Sequence, residues 1–435
     1  MINTTQLLVG HQGFTVGSLS DGSYGVNDLV GLLGNSDVLT GGDENFVVGG
    51  VTSNSIVTLG NGANSIGLAG NNNIVTLGAV QTGAVTGTSG TSAIAGLLGI
   101  GGTADLVLLA GNGNSLTVAG AVDAALIGNN NSMSFGDPSF ASPTSASPAA
   151  ALVNVALTGT GDHIVEAANA ASGSSSPLAT ISGGSGSNYV NVVSNASISL
   201  DGKQNTVIVG GGSTSGSNFD ITAGSGRDYV TLQNVFDASG NLVASSDVVH
   251  LAGNNNQITG GSNAIITGGA GDATLTLGTP NNGPLGTFNV SLGGTNNSIT
   301  LQNSVATGLD AGSGSDTVSL LNSSGSIAFH GSNNMLFIGG GSTGPTLVND
   351  RSTGLQINVS SALSSPLIIS GADKSLVIDF APGASGFTDA TQIAQQLHSN
   401  GAGSMVLSAG AGSNSPTLIQ FTGDMHISAA NFTFG

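Results

Sequence analysis

A short unit recurs along this chain: Asn or Asp, any residue, then Val, Ile or Leu, with Gly just before or after, at spacings near nine and eighteen. It stands at Asn64-Ser65-Ile66, Asn114-Ser115-Leu116, Asn188-Tyr189-Val190, Asp228-Tyr229-Val230, Asn297-Ser298-Ile299 and Asp316-Thr317-Val318. That period is too short for a globular domain and too regular for a linker. It predicts a stack of small β turns, a solenoid in which each repeat buries its apolar face against its neighbours.

The block from Asn54 to Gly78 shows the unit most clearly. Ile56 and Thr58 alternate with Val57 and Leu59, and period two marks a strand with one face inward. Gly and Asn then turn the chain, because both tolerate the positive φ that β-branched residues avoid. Gly70-Asn71-Asn72-Asn73, Gly128-Asn129-Asn130-Asn131 and Gly253-Asn254-Asn255-Asn256 are therefore expected to be corners. Stacked in register, their amides are expected to hydrogen-bond from rung to rung. Asn114 and Asn131 are 17 residues apart, and Asp316 and Asn334 are 18, so two strands per turn is the simplest geometry.

The repeat weakens before Gly34, so residues 1–33 are expected to form a cap, residues 34–370 the solenoid and 371–435 a C-terminal cap. Pro-, Ser- and Ala-rich stretches near 136–150, 167–177 and 278–286 are expected to be loop excursions. Asp389 in a capping place before Ile393 and Leu397, spaced i, i+4, predicts the one substantial helix.

Composition excludes several classes. Of 435 residues 72 are Gly, and the only basic residues are Lys203, Arg227, Arg351 and Lys374. With a net charge of −19 the chain has no basic surface to neutralise phosphates, so nucleic acid is not an expected partner. A hydrophobic content of 39% and a charged content of 6% argue against disorder, which combines low hydrophobicity with high charge density. The first ten residues lack the positive and apolar regions of a Sec signal peptide, and no apolar run of membrane-spanning length follows. Zero Cys is compatible with either an extracellular or a cytoplasmic setting. The acidic excess makes Ca²⁺ the first ion to consider, since carboxylates and carbonyls are its preferred ligands.

The stretches Ala223-Gly224-Ser225-Gly226-Arg227-Asp228-Tyr229-Val230-Thr231 and Ala311-Gly312-Ser313-Gly314-Ser315-Asp316-Thr317-Val318-Ser319 resemble the RTX nonapeptide, GGxGxDxUx, of calcium-binding β-rolls. Gly183-Gly184-Ser185-Gly186-Ser187-Asn188-Tyr189-Val190 keeps the same frame with Asn for Asp. The resemblance implies an all-β fold, a right-handed parallel β-solenoid. It also implies Ca²⁺ between successive turns, held by Asp228, Asp316 and carbonyls at Gly224, Gly226, Gly312 and Gly314. Asp247, 19 residues after Asp228, and the less regular Asp37, Asp105 and Asp272 are further candidate ligands. The acid position holds Asn at 64, 114, 131, 188, 205, 256, 297 and 334, and an amide is a poorer ligand than a carboxylate. The alternative role for the Asp side chains is to cap corners by accepting backbone N–H bonds.

Leu376-Val377-Ile378-Asp379-Phe380-Ala381-Pro382-Gly383 and the ending Asn431-Phe432-Thr433-Phe434-Gly435 are similar to the close of RTX proteins. That likeness implies export by a type I secretion system that reads an uncleaved C-terminal signal, and hence an extracellular or cell-surface setting.

No HExxH motif occurs. The tightest acid and His group is Asp162-His163 with Glu166, and Asp43-Glu44 is an adjacent acid pair; both are expected to be structural, so an enzyme is not expected. Thr58, Thr76, Thr231, Thr276 and Thr300 stand at outward-looking strand positions, where a flat rank would suit ice or a glycan such as a cell-surface polysaccharide and where ordinary β-propensity also favours Thr. The scarcity of charge suits a protein that associates with copies of itself into a filament or layer. A self-assembling structural protein with calcium assistance is the expected function, with a surface adhesin or glycan- or ice-binding solenoid as the alternative.

Overall fold

The structure, a computed structural model, describes residues 5–9, 13–15, 29–41, 45–60, 64–78, 104–136, 152–167, 179–211, 218–236, 239, 242–243, 245–279, 285–341, 344–401, 403–409, 416–423 and 426–435. Most of the three expected loop excursions, at 137–150, 168–177 and 280–284, lies outside these residues, as do Asp43 and Glu44. The chain forms two compact units, Met1–Gly224 and Ser225–Gly435. Each is a parallel β-solenoid whose strands alternate between two sheets.

In the first unit one sheet, here the front sheet, stacks the strands Gly13–Thr15, Val38–Thr40, Ile56–Leu59, Ile74–Leu77, Ser115–Val118, Ser132–Phe135, His163–Glu166, Tyr189–Val192 and Thr206–Gly210 in parallel. The back sheet stacks the strands between them, from Thr5–Val9 through Ser65–Ala69, Asp105–Ala110 and Val122–Ile127 to Phe219–Thr222. The solenoid thus already includes Thr5–Val9 and Gly13–Thr15, inside the segment expected to be a cap. Their short apolar runs pair in parallel although the corner frame around them is irregular.

Inward side chains make the core. Val57 and Leu59, Val75 and Leu77, Leu116 and Val118 are fully buried, while Ile56, Thr58, Ile74 and Thr76 face outward. Each buried aliphatic side chain contributes about 1.5–3 kcal/mol. The period-two reading of these strands therefore also gives their correct faces.

The second unit repeats the plan. Its front sheet runs from Tyr229–Gln233 through Asn256–Gly260, Ala273–Gly278, Ser298–Gln302, Thr317–Leu321 and Met335–Gly339 to Val377–Phe380 and Phe432–Phe434. Its back sheet runs in parallel from Asp247–His250 to Leu367–Ser370 and Thr417–Thr422, and there the order changes. Met405–Ser408 adds antiparallel to Thr417–Thr422, and Leu397–Ser399 adds antiparallel to Met405–Ser408. The helix Ala390–Gln396 is capped by Asp389, which accepts the N–H groups of Thr391 and Gln392 at 2.9 and 3.0 Å. Ile393 is buried as expected, whereas Leu397 leaves the helix and opens a strand.

Candidate functional site

The chemistry-bearing residues gather at one corner, where the chain enters the front sheet. Asp37, Ser55, Asn73, Asn114, Asn131, Asp162, Asn188 and Asn205 occupy the same place on successive turns of the first unit, and all eight are buried. From Ser55 to Asn205 each accepts the backbone N–H of the rung before it through a side-chain oxygen, whereas both carboxylate oxygens of Asp37, the first rung, are buried without a hydrogen-bond partner among the described residues. Asp37 N–H donates to Ser55 Oγ at 3.3 Å, Ser55 to Asn73 Oδ1 at 3.1 Å, and Asn73 to Asn114 Oδ1 at 2.9 Å. Asn114 donates to Asn131 Oδ1 at 3.0 Å, Asn131 to Asp162 Oδ1 at 2.8 Å, Asp162 to Asn188 Oδ1 at 3.0 Å, and Asn188 to Asn205 Oδ1 at 3.2 Å. Buried N–H groups that a corner would otherwise orphan are satisfied one by one.

Two residues earlier in each corner runs a second, exposed ladder of opposite direction. Asn71 donates its N–H back to Ser53 Oγ, Asn112 to Asn71 Oδ1, Asn129 to Asn112 Oδ1 and Thr160 to Asn129 Oδ1, at 3.2, 2.8, 2.7 and 3.0 Å. Between the ladders sits a left-handed residue, Asn72 at φ 57° and Asn130 at φ 56°, where Asn is tolerated. Gly opens the corner because the turns touch there. At Gly128, φ 116°, an added Cβ would lie 2.2 Å from the Gly111 carbonyl oxygen. The run Gly-Asn-Asn-Asn thus has four distinct positions. The expected amide-to-amide bonding is confined to a few rungs, such as Asn114 Nδ2 to Asn131 Oδ1 at 3.2 Å; the repeated bond is oxygen to backbone N–H.

The second unit keeps the ladder in two stretches. Asp228 donates its N–H to Asn256 Oδ1 at 3.0 Å. Ala273 then donates to Asn297 Oδ1 at 2.9 Å, Asn297 to Asp316 Oδ1 at 2.8 Å and Asp316 to Asn334 Oδ1 at 2.8 Å. Ala273 pairs with Asn256, so it is Ala273, and not the partly exposed Asp272, that stands in the column. A one-residue difference in corner length moves the acid out.

The expected ligands therefore do not form one set. Asp37, Asp228 and Asp316 belong to the buried front column, in different turns or units. Asp105 stands at the back-sheet corner, where its Oδ1 accepts the N–H of Asn64 at 2.9 Å and its Nδ2 at 3.0 Å. Asp247 lies within a back-sheet strand, facing the core beside Ser245 Oγ at 3.1 Å. Gly224 packs on the carbonyl of Gly202, and Gly226 and Gly314 donate N–H groups to Oδ2 of Asp228 and Asp316 at 3.1 and 3.3 Å. The Gly312 N–H is given to Asp310 Oδ1 at 3.2 Å.

Asp316 receives three N–H bonds, two from Asn297 and one from Gly314. Its neighbours in the column are Asn297 and Asn334, with no second carboxylate. Ca²⁺ needs oxygen lone pairs, and at Asp316 both carboxylate oxygens already accept N–H bonds. Burial pushes the Asp316 carboxyl above the ordinary carboxylate range, against the pull of those N–H bonds and with the help of nearby Asp310. Asp162 is raised by burial in the same way. Among the described residues no three of His, Asp and Glu gather as a metal-holding group.

Asp162, His163 and Glu166 do not converge. Asp162 is a ladder rung, His163 faces outward and stacks on Tyr189 at 4.5 Å, and Glu166 turns inward. Glu166 Oε2 accepts the N–H groups of Val193 and Ser194 at 2.8 and 2.9 Å, capping a back-sheet corner that sequence reading had not linked to it. At the C-terminus Phe380 stacks with Phe432 and Phe434 at 6.2 Å, so the two segments that resemble a secretion signal close the core of the second unit. Among the described residues no helix is long and apolar enough to cross a membrane. No protein-family model, curated protein or solved structure matches this chain.

Proposed function

We propose that the protein is an extracellular structural element that associates with copies of itself into a filament or layer. The observation that carries this reading is the outer wall of the first unit. Val38, Ile56 and Ile74 stand exposed and in register on its front sheet, with no Lys or Arg at any outward front-sheet position described. Exposed apolar residues in a contiguous rank mark interaction surfaces. Export through a type I system belongs to the same reading, supported by the likeness of Leu376–Gly383 and of the final residues to such signals. Electron microscopy of the purified protein tests it: ordered fibres or sheets are expected with chelator as well as with Ca²⁺, and dispersed monomers in both would contradict it.

One observation favours a binding role as the second reading. Thr40, Thr58, Thr76 and Thr117 form a continuous outward rank, and Thr231, Thr259, Thr276 and Thr300 form another in the second unit. Strands about 4.8 Å apart would present their hydroxyls as a regular array to ice or a crystalline glycan. Ice-recrystallisation and polysaccharide pull-down assays test this; loss of either activity in Thr58→Val/Thr76→Val, with melting unchanged, is the supporting result.

A further inference from the structure

We infer that the first unit carries both halves of a self-association contact: the apolar rank on its front sheet docks into a hollow on the outer face of the back sheet of a second copy. This rests on the self-associating reading above and gives it an interface.

The hollow has a volume of about 560 Å³ and is lined by Val48, Gly67, Leu106, Leu108, Ala125 and Ala156 among others. Gly67 is its floor. In register, Val48 flanks it on one side and Leu108 on the other, and these side chains are 45% and 43% exposed. An added Cβ at Gly67 would meet nothing within 4 Å, and its φ is not in the left-handed region. The fold therefore does not require Gly here, although Gly inside a strand is less favourable than Ala. A strand Gly without a local cause marks close approach by something from outside.

The opposite wall supplies what fits. Val38, Ile56 and Ile74 form a ridge, 39%, 39% and 45% exposed. Ridge and hollow are built from the same coils and share the strand spacing of about 4.8 Å, so a copy can match coil for coil. Charge selects the same partner. The chain carries −19 and repels itself over most approaches. The hollow is lined by a single charged residue, Asp123, and its Oδ1 accepts Asn154 Nδ2 at 2.6 Å.

Eight of the front-sheet strands, from Val38–Thr40 to Thr206–Gly210, each present two outward side chains, sixteen among the described side chains. That is somewhat below the roughly 20–30 residues a side of a standard interface, so a single contact falls at the small end of specific interfaces. Because ridge and hollow are different surfaces, the contact is heterologous and does not close, which generates an open filament.

The test uses the full chain and three variants, Ile56→Lys, Leu108→Lys and Gly67→Leu, each checked by thermal melting for an unchanged fold. Light scattering after size exclusion, at a concentration where wild type assembles, is expected to give monomers for each variant alone. An equimolar mixture of Ile56→Lys and Leu108→Lys is expected to stop at dimers, since each retains one intact surface. Assembly of any of the three variants like wild type, or a mixture that stays monomeric, overturns the interface and leaves wild-type assembly standing. A wild-type chain that never assembles removes both readings.

Discussion

Asn131 Oδ1 accepts the backbone N–H of Asn114 at 3.0 Å and, at 3.2 Å, a bond from its Nδ2. Asn131 is 17 residues further along the chain, one whole turn of the solenoid. The same bond on the neighbouring turns makes the corner a continuous hydrogen-bonded column. The repeating Asn is thus a structural residue, one that stitches turn to turn through its side-chain oxygen.

Asn114→Ala leaves the buried N–H of Asn73 without its acceptor. An unsatisfied buried donor costs about 1–3 kcal/mol, and that loss is expected in urea denaturation. Asn112→Ala removes a rung of the exposed ladder, where water replaces the acceptor, and is expected to change stability by about 0.5 kcal/mol or less. Equal effects at the two sites would contradict the distinction between the ladders.

Gly128→Ala places a Cβ against the Gly111 carbonyl in a backbone conformation that L residues avoid. A loss of about 1–3 kcal/mol from backbone strain alone is expected, read as a lowered melting temperature. Gly67→Ala, with open space around it, is expected to melt at or slightly above wild type.

Burial holds the Asp162 and Asp316 carboxyls above their ordinary range, so the folded state prefers them protonated. Their contribution to stability is fully present below the unfolded-state value and is lost as pH rises through the raised folded value. Asp162→Asn and Asp316→Asn keep an acceptor oxygen and remove the charge. Each is expected to melt above wild type at neutral pH, with the difference shrinking toward zero in acid. A variant that melts lower at neutral pH than in acid, relative to wild type, would reverse this sign.

Glu166→Ala takes an acceptor from two buried N–H groups, those of Val193 and Ser194. A cost of about 2–4 kcal/mol is expected from two lost charge-assisted bonds, and amide hydrogen exchange should quicken first at residues 193–195. Uniform quickening through the whole chain would show that the corner has no local stability of its own.

Strands and corners were legible wherever the frame of Asn, any residue and an aliphatic was intact. At Asn114-Ser115-Leu116 the frame puts an amide in the corner and Leu116 in the core, and the structure has both. The frame misleads at Asp272, because nothing in Gly271-Asp272-Ala273 reveals that the corner is one residue out and that Ala273 takes the column. It misleads again at Asp247, whose distance from Asp228 suits a full turn. The antiparallel pair Val235–Phe236 and Leu242–Val243 intervenes, and Asp247 enters the other sheet. The direction of the ladders was invisible for a different reason: the acceptor is a side chain but the donor is backbone, which has no sequence signature. The hollow over Gly67 was equally silent, since a Gly that makes a turn and a Gly that makes room are the same letter.

Amide hydrogen exchange of the buried ladder, measured with Ca²⁺ and again with chelator, asks most directly whether hydrogen bonds hold the stack. The N–H groups of Asn73, Asn114, Asn131 and Asn297 are predicted to be strongly protected to the same degree in both conditions. Protection that appears only with Ca²⁺ would mean that the ion, and not the amide ladder, holds the turns together.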